Sequence, residues 1–502
     1  MSTLTSLARA QARTAGVAQR VATVRHVHLS DRPMVFIPLA LAGEANAPLA
    51  ALLGDDPATP RLLVVSQPRN RAERFAFAAE LARVIVPYAE GFATSTEQVP
   101  VGRGEIKARS PNAPQLVLPN QAGIGFTRLL GRSTRFRRPD GDYPVDPAVP
   151  VLGRWLSFLA ERTEHPGSCL MLAVTEALAL HWASGQSELE DRNLATLLAW
   201  IDPPSGVGGA AAARAGEDPV TWPPAGPATD PGFDNEVLAP LIEACARAVG
   251  DGEASRRRAR TALERALTSQ LMPTWRLTWR AIELLRSLPE GGHVAARWDA
   301  DRDAFTGYAA YLADGGVAQP RRDGAVAAAR RLNWLERAQA SYAAQRAFDD
   351  PLVMAEYRMS GETLAGTVVA AQPGRVAAAS GKRRVLRPWI TVSTEDPVLI
   401  LPETVVTSAS RPGQKARLVS VSEPAGNGPS LVVLELSGGM GRSLIAAPGS
   451  VPEVGERTCY TTLTDDYQPI AEFPSAEQTP WTHGGPPVPY EPADEPAVED
   501  WS

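Results

Sequence analysis

Lysine is almost absent from this chain of 502 residues. Lys107, Lys382 and Lys415 are the only lysines among its 50 basic residues. Arginine is therefore the ordinary basic residue here, as is typical of proteins encoded by GC-rich genomes. A run of arginines is consequently a weaker sign of a binding site than it would be in a protein of average composition.

Cysteine is equally scarce. Cys169, Cys245 and Cys459 are isolated and odd in number. Their spacing excludes a disulfide framework and a CxxC zinc site, and it fits a reducing compartment. We therefore expect a cytoplasmic protein with no metal and no cofactor.

Long apolar runs and common catalytic motifs are also missing. No stretch approaches the roughly 18 consecutive apolar residues that cross a bilayer, so no membrane association is predicted. The sequence contains no GxxxxGK[ST], GxSxG, HExxH or complete nuclease motif. It therefore predicts no motor ATPase, serine hydrolase or zinc protease of the common types, and it leans away from an enzyme.

The order of apolar patterns predicts an α+β protein of several domains. We expect an N-terminal α/β domain with a parallel, Rossmann-like sheet, an all-helical middle and a small C-terminal β barrel. A disordered acidic tail follows. The predicted boundaries are 1–29 for an N-terminal helix or arm, 30–147 for the α/β domain, 148–360 for the helical domain with a Pro/Gly-rich break at 202–233, 361–464 for the barrel, and 465–502 for the tail.

The α/β prediction depends on three short apolar runs, each followed by a helical pattern. Continuous apolar strands of this kind are typical of parallel sheets that are covered on both faces. The strands are predicted at 34–37, 62–65 and 116–118, and the helices at 46–53, at 72–86 and from residue 126.

Helical patterns dominate the middle of the chain, with helices predicted at 148–201 and 234–358. Within the first region, separate helices are expected at 168–184 and 189–201. Trp275 and Trp279 are four residues apart, which places them on one helix face. We interpret this pair as core rather than as a platform for stacking bases.

Beyond residue 361 the pattern changes to short β runs separated by turn residues. Runs of this length suggest an OB-like or SH3-like barrel, a class that binds nucleic acid or protein, or braces a neighbouring domain. The five runs are at 367–369, 389–392, 398–401, 416–421 and 431–436.

The last segment, 465–502, has nine acidic residues, eight prolines and no lysine or arginine. Such a composition is typical of extended or disordered chain. The tail can dock on a basic surface, either of a partner or of this protein itself, and self-docking would screen that surface from phosphate.

The loop after the second predicted strand carries Arg69, Arg71 and Arg74 at the start of the next helix. Cations at this end oppose the helix dipole, so local stability does not explain them. Either an anion or an acidic neighbour compensates them, or they are merely exposed.

The segment 114–138 gives a second candidate site. A strand, a glycine turn and a helix are followed by a basic run, a combination that favours a phosphate group. The alternative interpretation is a tight βα turn followed by a solvated loop. The residues concerned are Gly123, Gly125, Arg128, Arg132 and Arg135, and Arg69, Arg71 and Arg128 could converge with the two glycines.

A third candidate lies in the barrel, where Lys382, Arg383 and Arg384 precede Trp389. A basic and aromatic edge is consistent with binding of single-stranded nucleic acid. The alternative is a basic hairpin tip with no ligand.

These features favour a non-enzymatic subunit or adaptor of a nucleic-acid-associated assembly, which holds the phosphate backbone of DNA or RNA through arginine clusters. A separate chain would supply any ATPase or nuclease activity. Two alternatives stay open. One is an enzyme acting on a phosphate-bearing small molecule at the α/β loops, and the other is an interaction scaffold acting through its acidic tail.

Overall fold

The computed structural model describes residues 3–44, 46–101, 104–224, 226–319, 323–378, 384–411, 413–422, 428–441, 443–466 and 472–473. The chain is a mixed α/β protein that divides into two compact units. One unit comprises residues 8–20, 24–335 and 472–502, and we call it the sheet unit. The other comprises residues 1–7, 21–23 and 336–471, and we call it the barrel unit.

The helices and strands follow in chain order. The helices are α1 (Thr3–Ala15), α2 (Arg71–Gly91), α3 (Gln121–Thr134), α4 (Ala148–Arg162), α5 (Val174–Ala179), α6 (Leu194–Ile201), α7 (Gly209–Gly216), α8 (Pro231–Phe233), α9 (Ala239–Arg247), α10 (Glu253–Arg286), α11 (Val294–Ala313), α12 (Ala325–Asp349) and α13 (Pro351–Met359). The strands are β1 (Gln19–Arg20), β2 (Met34–Ala40), β3 (Pro48–Gly54), β4 (Arg61–Val64), β5 (Glu97–Pro100), β6 (Ile106–Arg109), β7 (Leu116–Leu118), β8 (Met171–Ala173), β9 (Trp182–Ala183), β10 (Thr363–Gln372), β11 (Val376–Ala378), β12 (Arg384–Leu386), β13 (Trp389–Thr394), β14 (Val405–Ser408), β15 (Lys415–Ser422), β16 (Ser430–Ser437) and β17 (Arg457–Thr461).

The main sheet of the sheet unit has the order β4-β3-β2-β7-β8 among the described residues. Strands β2, β7 and β8 are parallel, whereas β3 is antiparallel to both β2 and β4. The predicted parallel sheet is thus wrong in part, because the sheet is mixed. Its Rossmann-like character stays a prediction.

The predicted helix at 46–53 is wrong, since most of this segment forms β3. The sequence PLAALLG of β3 consists largely of helix-forming alanine and leucine, but almost all of its residues are fully buried. Alanine and leucine prefer helices, but the free energy of this preference is small per residue. Burial of the side chains on both faces of a sheet outweighs it.

The middle of the chain is not all helical. The predicted helix at 168–184 is wrong in part, because its first residues form strand β8, which pairs with β7 in parallel register. The segment then turns into the short helix α5 and strand β9. Residues on both sides of the predicted boundary at 147 lie in the sheet unit, and the predicted domain boundaries stay predictions.

Helix α10 packs along the sheet with the two tryptophans on its buried face. Trp275 and Trp279 are 1% and 8% exposed, and their rings meet edge to face at 5.8 Å. The indole nitrogen of Trp275 donates to the carbonyl of Pro57 at 3.0 Å. The interpretation of this pair as core is therefore confirmed.

The barrel unit contains a closed antiparallel barrel in its described residues, with the order β10-β13-β16-β15-β14-β17. Its interior is filled by alternate side chains such as Ile390, Val392 and Leu434. A β barrel in this region is confirmed, whereas its OB-like or SH3-like class stays a prediction. The predicted strand at 398–401 is wrong, since Leu399 and Leu401 lie outside the strands and are 74% and 73% exposed. Strands β14 and β17 complete the barrel instead.

No helix in the described part of the chain combines the length and apolar character needed to cross a bilayer.

Candidate anion-binding site

Strands β2, β4, β7 and β8 point in the same direction, because β3 is antiparallel to both of its neighbours. The segments that follow these strands therefore meet at one edge of the sheet. In open α/β sheets, ligands bind in crevices beyond the carboxyl ends of the strands. This edge includes the loops in which the sequence places its first two candidate sites.

Arg69 lies in the loop between β4 and α2. Its Nε is 3.0 Å from Glu44 Oε1, and both side chains are exposed. The carboxylate compensates the cation, and an exposed pair of this kind contributes little stability. Arg69 therefore has an acidic neighbour, which is one of the outcomes considered from sequence.

The start of α2 is capped by its own residues. The side chain of Asn70 accepts hydrogen bonds from the main-chain N–H groups of Ala72 and Glu73. The carboxylate of Glu73 in turn accepts a bond of 2.8 Å from the N–H of Gln67. These bonds occupy donors that an anion at the helix start would use, so any anion here must be held by side chains.

Arg71 and Arg137 meet on one aromatic ring, although they are 66 positions apart. The guanidinium of Arg71 lies 4.6 Å from the centre of the Phe75 ring, and that of Arg137 lies 5.4 Å from it. Arg71 also donates to the carbonyl of Tyr143 at 3.2 Å, while Arg137 donates to the carbonyl of Ser133 at 3.1 Å. Phe75 thereby joins the first turn of α2 to the segment after α3.

Arg74 completes this group, which we call the three-arginine cluster: Arg71, Arg74 and Arg137. Its Nη1 donates to the carbonyl of Asn46 at 3.3 Å. Burial lowers the pKa of Arg137, and the positive charges of Arg71 and Arg74 lower it further. Burial and Arg71 likewise lower the pKa of Arg74, against the opposing effect of Glu44. Arginine stays charged at neutral pH, so the fold holds three cations close together.

Arg128 serves the packing of α3 against α4. Its Nη2 donates to the carbonyl of Ala160 and to the hydroxyl of Thr163, each at 3.1 Å, and Glu164 lies 3.8 Å away. A cation at the C-terminal end of a helix satisfies free carbonyls and complements the helix dipole. These contacts account for the position of the Arg128 side chain, and no ligand is needed to explain it.

Arg135 and Arg132 differ in their surroundings. Arg135 pairs with Glu161 at 3.6 Å, and its guanidinium lies over the ring of Phe136. Arg132 is exposed in the last turn of α3. Arg132 is thus the residue of this pair that faces solvent.

The two glycines of the predicted turn are both helical residues of α3. The N–H of Gly123 donates to the capping oxygen of Asn120 at 3.0 Å. A Cβ on Gly123 would lie 3.2 Å from the side chain of Leu118, whereas a Cβ on Gly125 would meet nothing within 4 Å. Gly123 therefore allows close packing of the helix start on β7.

The third candidate site lies in the barrel unit. Lys382 and Arg383 fall outside the described residues, and Arg384 is exposed in β12. The indole nitrogen of Trp389 donates to Glu435 at 3.1 Å, and Arg375 covers the tryptophan ring at 4.1 Å. One ring face is consequently occupied by a side chain of the protein itself.

Sequence reasoning identified Arg71 and Arg74 through their unfavourable position at a helix start. Arg137 lies in the basic run of segment 114–138 but is not among the site residues predicted from sequence, and neither is Phe75. The signal for Phe75 was an aromatic residue one turn after Arg71, the spacing at which helix side chains touch. The contact with Arg137 required the tertiary fold.

The chain matches no protein-family model, and comparison with curated proteins and with solved structures gave no significant match. The three-arginine cluster offers hydrogen-bond donors and positive charge. Guanidinium groups donate but do not accept hydrogen bonds, and they match phosphate oxygens in a two-pronged geometry. Chemically, the cluster is suited to binding an anion.

Proposed function

We propose that this protein is a non-enzymatic subunit or adaptor that holds the phosphate backbone of a nucleic acid on its sheet unit. The observation that carries the proposal is the three-arginine cluster around Phe75. A phosphate that lies between the three cations would reduce their mutual repulsion, and its oxygens match the geometry of guanidinium groups. The ring of Phe75 restricts the guanidinium groups and so lowers the entropy that they lose on binding.

The surroundings favour an extended anion over a small one. Arg71 and Phe75 also line a groove of about 910 Å³ along the edge strand β4. Further arginines from three elements line the same groove: Arg61, Arg83 and Arg260. Three carboxylates also line the groove, those of Glu73, Glu80 and Asp146, so that four arginines face three acids. Glu80 pairs with Arg61 and Asp146 with Arg83, both at exposed positions. Several cations spread along a groove suit a polymer with regularly spaced phosphates.

The two alternatives, an enzyme acting on a phosphate-bearing small molecule and a scaffold acting through its acidic tail, have less support than the nucleic-acid proposal. Arg69, Arg71 and Arg128 would clamp a phosphate-bearing substrate in an enzyme. Two of them, Arg69 and Arg128, each have a carboxylate within 4 Å. The tail on which a scaffold would depend lies almost entirely outside the described residues. Any ATPase or nuclease activity would come from a partner chain.

The test is fluorescence anisotropy with labelled single- and double-stranded DNA and RNA at several salt concentrations. The informative variant is Arg71→Gln with Arg137→Gln. We expect its affinity to fall about tenfold or more and the slope of log K against log salt to decrease by about two charges. The matched control is Arg32→Gln with Arg280→Gln, since these arginines form exposed ion pairs with Asp55 and Asp202.

The same titrations are carried out with a shortened protein that ends at residue 464 and therefore lacks the acidic tail. If the tail screens the arginines, this protein binds more tightly than the full chain at low salt. Two outcomes would contradict the proposal. One is the absence of nucleic-acid binding by either protein at low salt, and the other is equal affinity of the cluster variant and the control variant.

A further inference from the structure

A second site lies at the carboxyl edge of the sheet. A cleft of about 490 Å³ opens between the ends of β2 and β4 on one side and the helical segment 231–247 on the other. This volume falls within the range of sites for small organic ligands. Its apolar wall includes Leu41, Leu238 and Ile242. The position and the apolar wall are both typical of a ligand site in an α/β sheet.

The cleft is acidic, unlike the three-arginine cluster. Asp234 and Glu243 lie on its helical wall. Arg69 also lines it, but this cation pairs with Glu44. Two carboxylates therefore line the cleft, and its one lining arginine is compensated by Glu44, a balance that disfavours a phosphate and favours a cation.

Asp234 has an unusual environment. It is half-buried, and its Oδ1 is inaccessible to solvent and has no hydrogen-bond partner among the described residues. A carboxylate that has lost part of its hydration without gaining a donor is costly, and such a group in a native fold calls for an explanation. A cation in the cleft would offset that cost through its charge, which attracts the carboxylate as a whole.

The backbone at Asp234 is also irregular. Asp234–Leu238 forms a π-helical turn between α8 and α9. Turns of this type are rare and are often found at functional sites. The wall is fixed in place, because the side chain of Asp230 caps its start and Gln67 donates to the carbonyl of Ile242 at 3.0 Å.

We propose that this cleft binds a small organic cation, an ammonium or guanidinium group carried on an apolar body. The charged group pairs with Asp234, and Glu243 adds negative charge near the opening. The apolar body packs on Leu41, Leu238 and Ile242. This site is separate in chemistry from the proposed nucleic-acid surface, and neither proposal depends on the other.

The test compares three probes with the same apolar body and different charge: phenylbutylamine, phenylbutanol and phenylbutyrate. Binding to the full chain is measured at pH 7 by saturation-transfer NMR and by calorimetry. We expect the protonated amine to bind at least about tenfold more tightly than the alcohol, and the carboxylate to bind most weakly. Equal binding of the three probes, tighter binding of phenylbutyrate, or no binding of the amine up to about 5 mM would overturn the proposal.

Two substitutions test whether the amine binds in this cleft. Asp234→Asn should weaken its binding about tenfold, and Glu243→Gln should weaken it about threefold. Glu253→Gln is the control, since Glu253 is an exposed carboxylate paired with Arg257 on α10. Glu243 is exposed, so its replacement gives a result even if Asp234→Asn does not fold. Unchanged affinity in every folded variant would overturn the assignment.

Discussion

Arg71 and Arg137 are held over the same ring, that of Phe75, at 4.6 Å and 5.4 Å from its centre. Stacking on an aromatic face attracts a cation to the ring and restricts the orientation of the guanidinium group. Phe75 should therefore organise the cluster without contributing charge. Its effect on binding can be separated from that of the arginines.

Phe75→Leu keeps an apolar side chain but removes the aromatic face. We expect nucleic-acid affinity to fall about three- to fivefold, with an unchanged salt slope because no cation is lost. Anisotropy titrations at several salt concentrations measure both quantities. Phe92→Leu is the control, since this ring contacts Tyr88 edge-on at 5.2 Å. A reduced salt slope in Phe75→Leu would show that the arginines themselves had been displaced.

Two glycines of the α3–α4 pair should respond oppositely to alanine. A Cβ on Gly153 would lie 2.3 Å from the main-chain nitrogen of Arg135, which is impossible without moving a helix. We expect Gly153→Ala to lower the free energy of unfolding by about 3 kcal/mol. Gly125 has open space around it, so Gly125→Ala should raise that free energy by up to about 1 kcal/mol.

Urea unfolding measures both changes, and nucleic-acid binding by Gly125→Ala adds a separate result. If Gly125 were needed for close approach of a phosphate, its alanine variant would be stable but would bind weakly. If α3 only positions other residues, the affinity should stay at the wild-type value.

The short apolar runs predicted strands β2, β4 and β7. Full burial explains the continuous hydrophobic pattern of β2 and β7, whereas β4 is an edge strand that is only partly buried. The same reasoning failed for β3, whose alanines and leucines are equally suited to a buried helix. Nothing within β3 indicates that it runs antiparallel to β2 and β4. Direction depends on the connections and on the partner strands, which are not local properties of the sequence.

The barrel was predictable as a class but not strand by strand. Leu399 and Leu401 are apolar yet exposed, whereas β17, with the sequence RTCYT, closes the barrel despite its polar residues. Likewise, the unfavourable placement of Arg71 and Arg74 at a helix start could be read from the sequence. Their meeting with Arg137 could not, because it depends on the tertiary positions of α2 and α3, which both pack against α4.

Glu435 should make the barrel unit sensitive to acid. Burial alone would raise its pKa, but hydrogen bonds from Trp389, Arg375 and Arg417 hold the pKa of Glu435 below its ordinary value of 4.5. A depressed carboxylate pKa stabilises the fold above the unfolded pKa, and this contribution is lost as the pH falls through the folded pKa. Glu435→Gln should lower stability by about 2 kcal/mol at pH 7 and by progressively less below about pH 4.5.

Hydrogen exchange of peptides from β13 and β16 follows this unit specifically. The wild type and Glu435→Gln should differ in the hydrogen-exchange protection of these peptides at pH 7. The difference should disappear under acidic conditions. A constant difference down to pH 3 would contradict a role for the ionised carboxylate and would indicate a loss of packing instead.

His28 should make the sheet unit sensitive to acid in a different pH range. Its ring stacks on Trp298 at 4.1 Å, and burial lowers the pKa of His28 from 6.5 to about 4. Between these values the unfolded chain binds a proton that the folded chain does not, so stability falls as the pH is lowered from 6.5 to 4. The expected loss is about 3 kcal/mol.

His28→Phe preserves the stacked ring and removes the titrating group. Urea unfolding of both proteins across pH 4 to 7 measures the effect, with tryptophan fluorescence as the signal. The free energy of unfolding of the wild type should decrease relative to that of His28→Phe as the pH falls below 6.5. Parallel pH profiles would mean that His28 takes up its proton in the folded state as readily as in the unfolded chain, and that its burial has no energetic consequence.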